Sequence, residues 1–360
     1  MTFEPRRKFL QQLAGAGIAL PMLTAFGQGI SQEKPRIKIG QIGVQHAHAS
    51  KLGVYRKSPD YDVVGIVEPD AKIREAARNQ PPFDNLKWMT RDELLSVPGL
   101  QAVLVETPVK DLLDNAEACI DAGKHIHLDK PAGQSLPQLR RIQEKAARQK
   151  LIIQLGYMFR YNPGVKLLRE LLAEGWLGEI FEVHAVMSKV VDPESRKGLA
   201  YFPGGIMFEL GGHVIDLVIG VLGKPDNVTG YNRHSSAIDD GLVDNMLAVL
   251  EYPKAIATVK SAAVEIEGGA RRQLTVCGSE GTLHIQPLDN PSARLALSKP
   301  RGTYHSGYQD VTFPKYVRYV DDAADMARCL RGEKEFEYSY QHDLIVQTTL
   351  LKASGMPLDR

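Results

Sequence analysis

From Arg36 onward, short apolar runs alternate with mixed runs of helical character. The segments Arg36–Ile42, Tyr61–Val67, Leu100–Val105 and His125–Leu128 are compact, rich in Ile, Val and Leu, and predict strands. Between them, helices are predicted from about His48 to Lys57, from Ala71 to Asn79 and from Leu112 to Ala122, the last stopped by Gly123 in a C-cap position. Such alternation implies a parallel sheet with right-handed crossovers. Ligands of these sheets bind at the carboxyl ends of the strands. Gly43, Glu68, Thr107 and Lys130 all fall at such ends.

Past Gly156 the pattern changes. A helix over Val165–Ala173 and a strand over Ile180–Met187 are followed by strand-like runs at Asn227–Tyr231, Met246–Tyr252, Ala255–Val264, Gln273–Cys277 and Thr282–Ile285. Turn signals such as Pro253-Lys254 and Gly278-Ser279-Glu280-Gly281 separate them, and few helices intervene, so this sheet is expected to be mostly antiparallel. The fold class is therefore α/β: an N-terminal Rossmann-type doubly wound parallel sheet, then a C-terminal α/β domain with a mostly antiparallel open sheet. One helix, near Ile206–Leu222, is apolar or glycine except for Glu209, His213 and Asp216. At i, i+4 and i+7 these would stack on one face. Buried ionisable groups are costly unless paired or functional, so the trio reads either as a site or as a structural hydrogen-bond cluster.

The turn after the first strand reads Gly43-Val44-Gln45-His46-Ala47-His48, against the GxGxxG of a dinucleotide loop. Only the first glycine is present. Glu68 stands where an acidic residue would hold the ribose hydroxyls of NAD and repel the extra phosphate of NADP; a solvated strand-end charge is the other reading. The formal net charge is +1, without the basic excess of a nucleic-acid binder. Cys119, Cys277 and Cys329 are too scattered for a CxxC or metal spacing and read as free thiols. Residues 1–27 combine Arg6-Arg7-Lys8 with an apolar run from Phe9 to Phe26 and small residues at Ala25 and Gly27. This is the three-part pattern of a signal peptide, and Arg6-Arg7-Lys8-Phe9-Leu10 resembles the twin-arginine signal read by an exporter of folded proteins. Residues 28–35 read as a linker, 36–154 as the nucleotide domain and 155–360 as the substrate domain.

With Thr107-Pro108, Ala122-Gly123-Lys124-His125, Asp129-Lys130-Pro131, Gly156-Tyr157, Arg160-Tyr161, Gly204-Gly205 and Gly212-His213 with Asp216 in view, the chain resembles the glucose-fructose oxidoreductase, inositol dehydrogenase and rhizopine-catabolism (Gfo/Idh/MocA) family from about Arg36 to its end. The resemblance implies Lys130 as the active-site lysine, His213 as the catalytic histidine and Glu209 in place of an aspartate four residues before it. It implies NAD, held by Gly43, Gln45, His46, Glu68, Thr107, Pro108, Asp129 and Lys130, and a substrate held by Tyr157, Arg160 and Asp216. The reaction expected is hydride transfer on a hydroxyl of a sugar, polyol or glycoside, with His213 taking the proton, Lys130 stabilising the alkoxide and Glu209 orienting His213. Export with bound NAD favours closed redox cycles, including glycoside cleavage through transient oxidation. A homo-oligomer, a carbohydrate partner and the export machinery complete the expectation; nucleic acid and a resident metal are not part of it. Two rivals remain: a barrel metal hydrolase using His46-x-His48 and His125-x-His127, and a non-catalytic binding relative.

Overall fold

The computed structural model describes residues 34–201 and 203–359. The export signal and most of the linker expected in residues 1–35 lie outside the described residues. No helix among the described residues is long and apolar enough to cross a membrane.

Six strands form the first sheet: β1 (Ile37–Ile42), β2 (Tyr61–Val67), β3 (Trp88–Met89), β4 (Leu100–Val105), β5 (His125–Leu128) and β6 (Ile153–Leu155). Their order is β3-β2-β1-β4-β5-β6, and every pair is parallel. The helices between them are α1 (Leu52–Lys57), α2 (Ala71–Ala77), α3 (Arg91–Leu95), α4 (Val109–Asp121) and α5 (Leu136–Gln149). Strand order reverses between β1 and β4, which opens a crevice beyond their carboxyl ends. β4 and β5 are buried on both faces, which is why they read as continuous apolar runs rather than alternating ones. Helix starts are set by side-chain caps: Asp70 accepts from Lys72 N and Ile73 N, and Thr90 and Glu93 form a capping box.

The chain then forms α6 (Pro163–Ala173), β7 (Ile180–Val186), α7 (Pro193–Ala200), α8 (Gly212–Leu222), β8 (Asn227–Arg233), β9 (Asn245–Glu251), β10 (Ile256–Ala262), β11 (Gln273–Gly278), β12 (Gly281–Ile285), β13 (Ser292–Leu297), β14 (Gly307–Thr312), α9 (Val320–Leu330) and α10 (Tyr340–Ala353). The second sheet runs β14-β13-β12-β11-β7-β10-β9-β8; β7 and β10 are parallel and all other pairs antiparallel. Alternate residues on one face, such as Met246, Ala248 and Leu250 of β9, are buried. They join a core that includes Ile215, Val218 and Ile219 of α8 and Val346 and Leu350 of α10. This arrangement rules out the barrel reading.

α9 does not stay with the second sheet. Its Ala323, Met326 and Ala327 pack with Ile37, Ile39, Tyr55 and Tyr61 of the first layer. Tyr61 Oη donates to Ala323 O at 2.8 Å, and Arg331 pairs with Asp60 at 2.6 Å. The division expected near residue 154 is therefore crossed by the chain's return.

The helix expected over Ile206–Leu222 is two-part. Residues Met207–Gly211 form a π turn, and a regular α-helix begins at Gly212. Single π turns concentrate at functional sites because they re-aim side chains. Glu209 lies within the wide turn, whereas His213 and Asp216 lie in the regular helix that follows it.

Candidate active site

Lys130, at the carboxyl end of β5, is buried and reaches across to the π turn: its Nζ donates to Glu209 O at 2.8 Å and to Glu209 Oε1 at 3.2 Å. Burial opposes ionisation of Glu209, but Lys130 and Lys189 overcome it and hold the carboxyl below its usual range. Glu209 is thus the lysine's partner; its expected task of orienting His213 is corrected by this geometry. His213, one turn further on, is 1% exposed. Its ring meets Tyr157 and Phe159 edge-on at 6.1 and 5.8 Å, and His48 lies 6.0 Å away. Burial, then the nearby Lys130 charge, pushes its pKa well below the ordinary imidazole value, so it is neutral at physiological pH. Its Nδ1 is buried without a hydrogen-bond partner, as are Thr107 Oγ1 and Tyr157 Oη. Buried polar atoms rarely go unpaired, and a bound ligand is one way to satisfy them.

The crevice floor is densely polar. Lys51, fully buried, donates to Asp129 Oδ2 and to His127 Nε2, each at 2.8 Å, and stands 3.1 Å from Glu106 Oε1. Burial opposes its charge, yet Asp129 and Glu106 raise its pKa. His46 Nδ1 and His48 Nδ1 lie 3.2 and 3.1 Å from the two oxygens of Asp129. Burial lowers His48 to about 4 and His127 to about 3. Burial and then Asp129 lift Glu106 well above the carboxylate range.

Gly43 has φ +92, and a Cβ there would lie 2.5 Å from Glu106 O, so this glycine serves the tight approach of two chain segments. The rest of the loop is held by side chains in place of the missing glycines. Buried Gln41 donates to Gly43 O at 2.8 Å and to Ala49 O at 3.3 Å. Glu68 ends β2 as expected, but its carboxylate is turned onto the loop. It accepts from Val44 N, Gln45 Nε2 and Asp70 N at 3.1–3.3 Å and is 2% exposed. Glu68, Thr107 and the backbone of residues 43–48 thus surround the position a dinucleotide takes at the β1/β4 crevice, and the orphaned Thr107 hydroxyl fits such an occupant.

Arg160 and Asp216, expected at the substrate, are paired with each other in this structure. Arg160 Nε and Nη2 grip Asp216 at 2.6–3.1 Å, and Nη2 also reaches Asp343 Oδ1 at 2.6 Å. His342 Nε2 adds a contact to Asp216 at 2.9 Å. Arg160 and Asp216 are at most 2% exposed and join α8 to α10, while Arg160 Nη1 and Asp343 Oδ2 are buried without a hydrogen-bond partner. A cleft of about 330 Å³ lies on that side, lined by Arg160 and Asp216 together with Leu172, Leu217, Tyr338 and His342; none of Lys130, Glu209 or His213 lines it. Tyr157, by contrast, stays beside His213. His125 is also diverted, its Nδ1 accepting from Ile152 N.

Sequence reasoning missed Lys51, Glu106, His342 and Asp343. Nothing local marks a lysine at a helix start or a strand-end glutamate as buried; only the parallel register of β1, β4 and β5 converges them.

The family description "Oxidoreductase family, NAD-binding Rossmann fold" matches residues 37–157, and "GFO/IDH/MocA C-terminal domain" matches residues 165–284. The chain is 23% identical to scyllo-inositol 2-dehydrogenase (NAD(+)) of Bacillus subtilis, over 89% of this chain and 94% of that protein. It is 25% identical to scyllo-inositol 2-dehydrogenase (NADP(+)) of the same organism, over 57% of each chain. The solved UDP-N-acetylglucosamine 3-dehydrogenase of Acidithiobacillus ferrooxidans superposes with a TM-score of 0.72 at 17% identity, over 89% of this chain and 97% of that one. Two adjoining family domains, in the order the fold requires, place this chain in the Gfo/Idh/MocA oxidoreductase family.

Proposed function

We propose that this protein is a dehydrogenase of a sugar, polyol or glycoside hydroxyl, with His213 as proton acceptor. The observation that carries the reading is the neutral, buried His213 with an unpaired Nδ1, set in the crevice that holds Lys130. A base must be unprotonated to act, and burial keeps this imidazole so. Lys130, anchored by Glu209, supplies positive charge where an alkoxide would develop. A nicotinamide nucleotide, when bound, accepts or returns the hydride. Glu68 would face its adenosine ribose by exchanging the Gln45 bond for ribose hydroxyls, which favours NAD over NADP. Gln45, His46, Thr107, Pro108 and Asp129 would line the remainder.

Two proteins of the same family act on a cyclic polyol, scyllo-inositol, by name, which supports the substrate class. The twin-arginine pattern of residues 1–27 supports export in the folded state, and a protein exported with its nucleotide works best when the nucleotide is retained and restored in each cycle. A homo-oligomer and a soluble carbohydrate ligand complete the reading. The test is to denature the exported protein and assay the supernatant for NAD, then to assay the native protein on glycosides and polyols without added nucleotide. Nucleotide released at about one per chain, with turnover, supports the proposal. An empty protein that is inactive even with NAD supplied overturns it.

A further inference from the structure

The His46-x-His48 motif takes neither proton nor hydride in the proposed reaction, yet the fold brings both imidazoles onto one buried carboxylate. His46 Nε2 lies 3.1 Å from Lys130 O. A carbonyl oxygen only accepts, so Nε2 carries the proton and Nδ1 is bare. The backbone N–H of His48 also points to that Nδ1, at 3.3 Å, which again marks it as an acceptor. This bare nitrogen faces Asp129 Oδ2 at 3.2 Å, one lone pair against another. His48 Nδ1 faces the other oxygen of the same carboxylate at 3.1 Å. The arrangement requires a positive centre between them, either a proton or a metal ion.

We infer that His46, His48 and Asp129 form a binding site for one first-row divalent transition metal of the zinc class, with an open coordination position towards the crevice. His46 Nδ1 lies 3.2 Å from Asp129 Oδ2 and His48 Nδ1 3.1 Å from Asp129 Oδ1, so two imidazole nitrogens and one carboxylate converge within reach of a single ion. The two nitrogens and one carboxylate suit zinc or cobalt. His46 has the outer support expected of a ligand, since its other ring nitrogen is fixed on a backbone carbonyl. Asp129 has the capacity: Lys130 N takes one lone pair of Oδ1 and Lys51 one of Oδ2, and a second remains on each. His48 is the more open of the two imidazoles, at 18% exposure, and its ring is 6.0 Å from that of His213. A metal there presents its free position to the oxygen of a water or a hydroxyl on the histidine side of the crevice.

The site stands or falls without nucleotide. Chelator-stripped protein, free of added nucleotide, is titrated with Zn²⁺ by calorimetry and with Co²⁺ by visible absorption. Saturable binding of one ion per chain with cobalt bands of nitrogen–oxygen ligation is expected, weakened on the order of 100-fold or more in His46→Gln and in His48→Gln. A second grouping of possible ligands, Asp216, His342 and Asp343, serves as the internal control: His342→Gln should bind as the parent does. Folding of each variant is checked by circular dichroism. Absence of saturable binding in the parent means that only a proton bridges His46 and Asp129 and overturns the inference, as does binding that is lost in His342→Gln and kept in His48→Gln.

Discussion

Two buried ionic clusters flank α8, and they differ in kind. Behind the helix, Arg160 is clamped between Asp216 and Asp343, with His342 closing the set. In front, the crevice gathers Lys51, Lys130, four histidines (His46, His48, His127 and His213) and the carboxyl groups of Glu106, Asp129 and Glu209, and leaves His213 Nδ1 and Thr107 Oγ1 unpaired. The rear cluster rests on a guanidinium that cannot lose its proton, bound by side-on contacts to one carboxylate. The front cluster is built from groups whose charges can move. A cluster centred on a fixed guanidinium charge holds helices together; one centred on imidazoles and a lysine can exchange protons. Burial alone does not distinguish the two, nor do unpaired polar atoms, which both clusters hold; the chemistry of the central group does.

The sharpest way to break this contrast is to substitute one member of each cluster and read both activity and stability. His213→Ala and Lys130→Ala should each lower turnover by roughly 100- to 10,000-fold, with circular dichroism and melting close to the parent. The losses should not add in the double variant, because both residues serve one proton transfer. Either variant at full turnover removes that residue from the reaction. Because His213 is held neutral, kcat should also show no inflection from this group between pH 6 and 7; a histidine NMR titration in that window would contradict the assignment.

Arg160→Ala should do the reverse. Removing one partner from a buried ion pair costs about 3–5 kcal/mol, so urea midpoints should fall sharply, while the turnover of the protein that remains folded is little changed. A stable but inactive Arg160→Ala would return this residue to the substrate.

Asp343 sharpens the picture of the rear cluster. Burial raises its pKa from 3.8 to about 6, against the pull of Arg160. The folded state then binds more protons than the unfolded state between those two values, so the contribution falls as pH rises from about 4 to 6 and is flat above. Asp343→Asn should therefore be more stable than the parent at pH 7.5, by roughly 1 kcal/mol or more, with the gain gone near pH 4. A pH-independent difference would show that the carboxyl is ionised throughout.

The smallest effect is expected at Glu68. Glu68→Ala should narrow the preference for NAD over NADP by several-fold in equilibrium binding, with part of the change coming from the loop it now holds through Val44 and Gln45. An unchanged preference would confine Glu68 to loop support.

The fold was legible where burial is continuous. β2, β4 and β5 fall on the expected residues because parallel strands covered on both faces leave an unbroken apolar signature. α10 was not legible: it turns Asp343 and Gln347 inward as well as Val346 and Leu350, so no polar face separates from an apolar one. α5 carried a weak stripe, Leu136, Leu139, Ile142 and Ala146, diluted by arginines, lysines and glutamines. Of the site, Lys130, Glu209 and His213 were visible through their motifs. The pairing of Glu209 with Lys130 was not, because a π turn has no signature in hydrophobic spacing. Arg160 and Asp216 were legible as residues but their mutual pairing was not, since only three-dimensional structure reveals it.

The return of α9 to the first sheet has a consequence for the order of events at the ribosome. Chains emerge N-terminus first, and early domains often fold as they appear. Here Ile37, Ile39, Tyr55 and Tyr61 lack their cover until Ala323, Met326 and Ala327 have been made. The first sheet can collapse early, but its outer layer closes only when almost the whole chain is available. A fragment ending after β6 would carry an uncovered apolar patch and is expected to aggregate in dilute buffer, whereas the same fragment supplied with a peptide spanning residues 318–332 should recover solubility.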